Sequence, residues 1–327
     1  MRARGFLKPD TGPAMDIDQL ESGQLLTDEV FLVAESKLQV DRRGQNYYTL
    51  TLHAEGGRKI SAKVWSDNIA DAIAAGVGLE VLARVDEYRG QKQLNIQRYK
   101  VLDAADFDLS PYVKTAECDV EEAFETLFDW SGDEYSNPWL KLLMAAIHDN
   151  ASFAEQFKAS PAASYHHHNY QGGLAEHTLE VWKLANTVAE LYADRIDREL
   201  LLAGAALHDV GKVKSYRLTA GISERTEAGE LLDHLFISGS MVSNLWDTCV
   251  KPEVPQEKAE EAARCKALLL HAILAHHGKQ EWGSPVVPRT AEALLLHHCD
   301  VLSANMKSVF TAIEETPGGE TWSDNVY

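Results

Sequence analysis

The segment that organises this chain is Leu207-His208-Asp209-Val210-Gly211-Lys212. It follows an apolar run over residues 200–206, which predicts a buried helix that ends at an imidazole and a carboxylate. Gly211 is typical of a helix stop, and Lys212 adds a cation beside the pair. Imidazole and carboxylate groups are both good ligands for divalent metal ions. An isolated His-Asp pair more often only ends a helix. A metal-binding role for this pair therefore requires further potential ligands elsewhere in the sequence.

Such potential ligands recur in apolar helical contexts along the second half of the chain. They are His177, His234, the pair His276-His277, and Asp300. Polar groups are costly to bury unpaired, so their recurrence on core helices favours a shared partner such as metal. Together with His208 and Asp209 they form a set of seven ligands, which suits two ions bridged by Asp209. Five imidazoles and two carboxylates favour Mn²⁺, Fe²⁺, Co²⁺, Ni²⁺ or Zn²⁺ over Ca²⁺, and Mn²⁺ is the first choice.

The order of these residues resembles that of a known enzyme superfamily. His177, His208, Asp209 and Asp300 match the H…HD…D pattern of the HD-domain metal-dependent phosphohydrolases one by one. The three further histidines resemble the two-metal branch of that superfamily. The resemblance implies a helical HD domain that hydrolyses phosphate esters with two divalent ions.

The flanking segments narrow the resemblance. Residues 167–178 and 276–288 are similar to the corresponding parts of the YhaM-type 3′-to-5′ exoribonucleases, and the likeness extends over roughly residues 110–310. It implies that a metal-bridged hydroxide attacks the terminal phosphodiester of a single strand, RNA before DNA, and releases nucleoside 5′-monophosphates. Asp209 and Lys212 would then be the catalytic residues, with Lys212 neutralising charge on the phosphoryl oxygens.

Four residues near the predicted centre are candidates for substrate binding. His167 and His168 lie inside the family-like segment. Lys279 and Arg289 lie in the loop that follows His276-His277, where they could contact phosphates. For both cations the alternative is an ordinary solvated surface position.

The N-terminal part has a different pattern. Alternating and β-rich stretches predict strands at 30–40, 47–53, 59–65, 79–88 and 91–102, with a short helix at 68–75. Three strands, a helix and two strands is the order of an OB-fold barrel, which commonly binds single-stranded nucleic acid. Residues 37–100 hold 11 basic and 7 acidic residues. Trp65, Tyr88 and Arg89 are the predicted binding residues, although aromatic residues of a barrel can also be core and its cations a solvated edge.

The sequence therefore predicts a multidomain protein, an all-β OB-fold barrel followed by an all-α HD domain. The predicted parts are a flexible arm (1–24), the barrel (25–103), a linker (104–119), the helical domain (120–315) and a tail (316–327).

Composition limits the remaining function classes. The first 100 residues carry equal numbers of acidic and basic side chains, so the net charge of −19 lies in the rest of the chain. An acidic domain repels a polyanion such as nucleic acid, which argues against a nucleic-acid-binding protein. The N-terminal part has no net charge, so this argument does not apply to it. Four cysteines without CxxC spacing, no apolar leader and no membrane-length apolar run favour a cytoplasmic protein that does not act at a membrane. A homo-oligomer is compatible with the sequence.

Two other classes of function stay open at this point. One is a different HD enzyme, a cyclic-dinucleotide phosphodiesterase or a nucleotide phosphohydrolase. Gly283-Ser284-Pro285 stands where the cyclic-dinucleotide branch has Gly-Tyr-Pro, which weighs against that branch. The other is a non-catalytic nucleic-acid-binding protein with a degenerate HD domain, and the full set of seven ligands weighs against decay.

Overall fold

A computed structural model describes residues 17–88, 90–102, 107–164, 168–219 and 221–315. The chain folds as two compact units that divide between Lys114 and Thr115. The tail predicted at 316–327 and most of the predicted arm lie outside the described residues. Within that arm, however, Ile17 and Leu20 are buried in the core of the first unit. The barrel unit therefore begins before residue 25.

The first unit is a closed five-stranded barrel. Its strands are β1 (Leu25–Val40), β2 (Asn46–His53), β3 (Lys59–Val64), β4 (Gly78–Tyr88) and β5 (Gln91–Leu102). The neighbour order is β1-β2-β3-β5-β4, and β1 also pairs with β4 to close the barrel. The β3–β5 pair is parallel and the other pairs are antiparallel. All five predicted strands are confirmed.

Strand β1 makes closure feasible because it is long and irregular. Its pairing shifts between Leu26 and Glu29 and again between Val33 and Glu35, so its first part pairs with β4 and its last part with β2. Such irregularities bend a strand and let a sheet curl. Inward side chains such as Phe31 and Leu52 are fully buried and fill the interior.

The short helix predicted at 68–75 is wrong. The structure has a single 3-10 turn, Ser66–Asn68, after which the backbone is extended at Ile69. The Tyr99 hydroxyl accepts hydrogen bonds from the backbone N–H groups of Ala70 and Asp71 and donates to the Asp71 carbonyl. Tyr99 lies on β5, so these bonds give the backbone groups of the segment their hydrogen-bond partners without a helix.

The second unit is mainly helical. Its helices are α1 (Val120–Phe128), α2 (Pro138–His148), α3 (Ala151–Ala159), α4 (Gly173–Leu191), α5 (Arg198–Leu207), α6 (Lys212–Ser215), α7 (Glu227–Leu245), α8 (Ala259–Ala275) and α9 (Ala291–Glu315). The Asn137 side chain caps α2, since it accepts hydrogen bonds from the N–H groups of Trp139 and Leu140. The prediction of an all-α domain needs one correction, because strands β6 (Tyr216–Thr219) and β7 (Ile222–Arg225) form a hairpin before α7.

Helix α5 is the centre of this unit. Every residue from Leu200 to Leu207 is buried, and α4, α8 and α9 pack around it. A helix that is apolar on all sides must be enclosed in this way. Its enclosed C-terminal end is where the His-Asp pair begins. Among the described residues, no helix is both long and apolar enough to cross a membrane.

Candidate metal centre

His208 and Asp209 directly follow α5 and are buried. The His208 Nδ1 atom lies 2.7 Å from the Ala205 carbonyl oxygen, three residues back. Because a carbonyl oxygen can only accept a hydrogen bond, Nδ1 carries the proton. Nε2 is then unprotonated and offers its lone pair. The predicted buried helix ending in this pair is confirmed, and its end presents one imidazole nitrogen and one carboxylate as acceptors.

Two helices that pack on α5 bring the first group of ligands to this point. His177 lies near the start of α4, and Asp300 lies within α9. The ligand atoms of His177, His208 and Asp300 all lie within 4.8 Å of one another. His177 Nε2 and Asp300 Oδ1 are 3.1 Å apart.

A second group lies on α7 and at the end of α8. His234 belongs to α7, and His276-His277 directly follow the last residue of α8. Their three ligand atoms also lie within 4.8 Å of one another. His234 and His276 are buried, as His177 and His208 of the first group are.

Asp209 lies between the two groups. Its Oδ2 atom is 3.4 Å from His177 Nε2 and 3.2 Å from His208 Nε2. Its Oδ1 atom is 3.4 Å from His234 Nε2 and 3.7 Å from His276 Nε2. Each carboxylate oxygen thus faces a different set of imidazoles, which is the arrangement that a bridging ligand requires.

Four of the five imidazoles are hydrogen-bonded through Nδ1 to an oxygen atom at 2.7–3.0 Å. The partners are Ala205 O for His208, Ile273 O for His276, Trp282 O for His277 and Ser303 Oγ for His177. The fifth, His234, has its Nδ1 atom 2.7 Å from Asp233 Oδ1 in an ion-pair contact. Ser303 Oγ itself donates to Glu180 Oε2, so it accepts from His177. Such bonds fix the ring orientation and raise the basicity of Nε2 in metal-binding histidines.

This arrangement fits divalent cations. Two ligand atoms that each lie about 2.1 Å from one ion are separated by about 3.0–3.4 Å, close to the distances found here. Within the described part of the chain, His208 Nε2 and Asp209 Oδ1 are fully buried without a hydrogen-bond partner. Buried acceptors that face one another need a positive charge between them. The clusters can therefore bind divalent metal.

The charge state of Asp209 suits metal binding. Burial raises the pKa of this carboxyl group, but the neighbouring His208 and Lys212 side chains outweigh burial and hold the pKa well below its ordinary value. Burial lowers the pKa of both His234 and His276, which keeps these imidazoles neutral. At His177 the hydrogen bonds to Asp209 and Asp300 outweigh burial and raise the pKa to about 9, so a metal ion there must displace a proton. Ionised carboxylates and neutral imidazoles are the forms that coordinate metals.

His234 is positioned by a strained neighbour. Asp233 has φ 61° and ψ 155°, a backbone conformation that is essentially restricted to glycine, and it interrupts α7 directly before His234. Its Oδ1 atom is 2.7 Å from His234 Nδ1, and its Oδ2 atom accepts from Arg225 Nη2 at 2.6 Å. Strain of this kind persists where the surroundings fix it, so Asp233 is a further residue of the centre.

Comparison with known proteins assigns the family. The model of the HD domain matches residues 174–305, a range that contains all seven ligands. The chain is 33% identical over 297 residues to the 3′-5′ exoribonuclease YhaM of Bacillus velezensis, covering 90% of this chain and 89% of that protein. The proteins of that name from Bacillus subtilis and Listeria monocytogenes serotype 4b are 32% and 31% identical, covering 90% and 92% of this chain and 89% and 92% of their own lengths. This chain belongs to the YhaM family.

The seven predicted ligands of this YhaM-family protein lie together, but its predicted substrate-binding residues lie in different environments. His167 lies outside the described residues. His168 is 1% exposed, its ring lies 5.3 Å from that of His177, and its Nε2 atom is 3.4 Å from Glu180 Oε1. A side chain this deeply buried offers a substrate little surface, and the substrate role of His168 stays a prediction. It packs behind a ligand.

The two loop cations have separate environments. Lys279 is exposed, and its Nζ atom lies 4.4 Å from the centre of the Trp282 ring. The backbone N–H of Arg289 donates to His271 Nε2 on α8, and this exposed arginine is not among the residues that line the cavity beside the ligands. Of the predicted cations, Lys212 alone lines that cavity, with its Nζ atom 2.6 Å from Asp209 Oδ2.

That cavity has a volume of about 480 Å³ and opens beside the second ligand group. Both carboxylates and the second group's imidazoles form part of its wall, and the rest is largely aromatic or apolar. Small-molecule sites in proteins have this size and combination of surfaces.

The barrel of this family member carries a separate aromatic surface. Trp65 is 40% exposed and Tyr88 58% exposed, and Lys63 Nζ lies 5.4 Å from the centre of each ring. The Tyr47 ring stacks on Trp65 with centroids 5.1 Å apart. We call Tyr47, Lys63, Trp65 and Tyr88 the aromatic patch. Arg89 lies outside the described residues.

Sequence reasoning missed several residues of the centre. Asp233 contacts the imidazole of His234, and Ser303 accepts a hydrogen bond from His177. Glu180 accepts a hydrogen bond from Ser303, and Trp282 lines the cavity. A signal existed for Asp233, which adjoins His234 in the sequence. Ser303 and Glu180 resemble ordinary helical polar residues and are identified only by their contacts.

Proposed function

We propose that this chain is a metal-dependent 3′-to-5′ exoribonuclease that releases nucleoside 5′-monophosphates from single-stranded RNA. The observation that carries the proposal is the carboxylate of Asp209, whose two oxygens face two separate groups of ligands. Membership of the YhaM family supports RNA as the substrate. The seven ligands of the proposed centre are His177, His208, Asp209, His234, His276, His277 and Asp300.

We propose two divalent transition-metal ions, because the donor set is rich in imidazole, and Mn²⁺ is the first metal to test among Mn²⁺, Co²⁺, Fe²⁺, Ni²⁺ and Zn²⁺. When bound, paired divalent ions lower the pKa of water and stabilise charge on phosphoryl oxygens. Asp209 would hold both ions in register, and its low pKa keeps it ionised. The oxygen partners on Nδ1 keep each Nε2 atom available to the metal.

Lys212 is proposed to act on the phosphate. Lys212 is 8% exposed and lines the cavity beside Asp209. Burial lowers its pKa, but Asp209 outweighs this effect and keeps the side chain protonated. A fixed positive charge at this place would stabilise negative charge that develops on the non-bridging oxygens.

The barrel is proposed to be an OB fold that binds the strand upstream of the cleaved bond. Its closed order β1-β2-β3-β5-β4 supports this assignment. The aromatic patch supplies exposed rings for base stacking and a cation for phosphate. We propose Trp65, Tyr88 and Arg89 as contacts of the single strand, with Arg89 carried from the sequence alone.

The test is an assay with end-labelled substrates and Mn²⁺. A single-stranded RNA labelled at its 5′ end should shorten progressively, with mononucleotide 5′-phosphates as the other product. Single-stranded DNA, a cyclic dinucleotide and nucleoside triphosphates serve as competing substrates. Internal cleavage, or hydrolysis confined to the cyclic dinucleotide or the triphosphates, would overturn the proposal.

A further inference from the structure

Trp282 stands beside the metal ligands in an unusual state for a tryptophan. It is 52% exposed, yet it lines the same cavity as Asp209 and Lys212. Tryptophan is highly buried on average, so a half-exposed ring in a cavity favours a binding role.

The position of Trp282 is tied to the centre by its backbone. Its carbonyl oxygen accepts a hydrogen bond of 2.8 Å from His277 Nδ1, so the residue that fixes this ligand also places the indole. The connecting loop has little freedom to move away. A Cβ atom at Gly278 would lie 2.3 Å from the His297 ring, and His297 Nδ1 donates to the His276 carbonyl oxygen at 2.7 Å.

The cavity wall therefore combines two chemically different kinds of surface. The carboxylates, the imidazoles and Lys212 are charged or polar. Trp282 and the side chains of α9 such as Val301 and Ala304 are aromatic or apolar. A nucleotide has the same division between an anionic phosphate and a flat, weakly polar base.

We propose that the indole of Trp282 is the stacking platform for the nucleobase of the 3′-terminal nucleotide. This inference rests on the proposed exoribonuclease function and assigns a residue that positions the substrate in it. Lys279 lies over the ring at 4.4 Å and can cover one face, and the exposed surface leaves room for a planar partner. Because every base has a π-face, a platform of this kind holds the terminal nucleotide without selecting its sequence.

The experiment compares two RNA oligonucleotides that differ at one position, the second lacking only the 3′-terminal base. The full-length wild-type protein should cleave the intact RNA with a kcat/KM roughly 5- to 150-fold above that for the abasic RNA, the range typical of one stacked base. Trp282→Ala should lose this preference. Without the indole, the intact RNA loses the stacking contact that the abasic RNA already lacks. Trp282→Phe should keep most of it, and Trp282→Leu, which is apolar but has no π-face, should not.

Phe310→Ala is the matched control, since Phe310 is an equally exposed aromatic residue on α9 at 51%. It should leave the ratio between the two substrates unchanged. Retention of the full preference by Trp282→Ala, or equal cleavage of both RNAs by the wild type, would overturn the inference. If Trp282→Ala does not fold, the Phe and Leu variants decide, and equal ratios for these two would also overturn it. A wild type that does not shorten RNA from its 3′ end contradicts the proposed function itself.

Discussion

The metal centre and the aromatic patch expose their functional groups to opposite degrees. In the centre, His208 and Asp209 are at most 1% exposed, and four of the five imidazoles are hydrogen-bonded through Nδ1 to an oxygen atom. In the patch, Trp65 and Tyr88 are at least 40% exposed, and Lys63 Nζ lies 5.4 Å from the centre of each ring. Buried polar atoms are costly without partners, whereas exposed rings and cations are not. The difference indicates that the centre is preorganised for chemistry, while the patch can adapt to a strand.

The largest expected effect follows from Asp209→Asn, which keeps the shape of the side chain but removes its charge. Both groups of ligands lose their shared anion, so RNA hydrolysis should fall below detection and bound metal towards zero. Activity assays and elemental analysis measure the two effects. Asp149→Ala is the control, because this aspartate side chain is 82% exposed and lies outside the cluster. Normal turnover by a folded, metal-free Asp209→Asn protein would contradict the metal mechanism.

His234→Ala should have the next largest effect. It removes one ligand of the second group and leaves His177, His208 and Asp300 intact. We expect most activity to be lost while about half of the bound metal remains, since paired ions act together on one phosphate. Metal content per chain, measured at saturating Mn²⁺, separates this outcome from a general collapse of the centre. Loss of all bound metal would show that the two groups are not separate sites.

Ser303→Ala tests whether the oxygen partner of His177 matters. The Ser303 hydroxyl joins His177 Nδ1 to Glu180 Oε2. Removal of such a partner typically costs 10- to 100-fold in metal affinity, so the Mn²⁺ concentration for half-maximal activity should rise by about that factor. Ser308→Ala is matched to it, because the Ser308 hydroxyl bonds to the Ala304 carbonyl oxygen on the same helix. An equal response of the two variants would remove Ser303 from the centre.

The smallest effect is expected at the patch. Lys63→Ala should weaken binding of a long single strand several-fold, reduce the salt slope by about 1 and leave kcat unchanged. Lys37→Ala is the control, since the side chain of this barrel lysine is 66% exposed and it pairs with Glu35. Binding isotherms at several salt concentrations provide the measurement. If both variants lose affinity equally, general charge and not the patch attracts the strand.

Features that depend on local sequence could be predicted, whereas features that depend on contacts between distant residues could not. The five strands follow from local alternation, and the ligands follow from residue types that recur in apolar surroundings. The missing helix at 68–75 could not be predicted, because it depends on hydrogen bonds from Tyr99, some 28 residues away in the chain. The burial of His168 could not be predicted for a related reason, because it depends on tertiary packing against His177.

The central claim is that Asp209 is shared by two metal ions, and anomalous diffraction from Mn²⁺-loaded crystals tests it most directly. The account predicts two anomalous peaks on either side of this carboxylate. One should lie on the Oδ2 side near His177, His208 and Asp300, and the other on the Oδ1 side near His234, His276 and His277. A single peak at saturating Mn²⁺, or two peaks that do not share Asp209, would contradict the account.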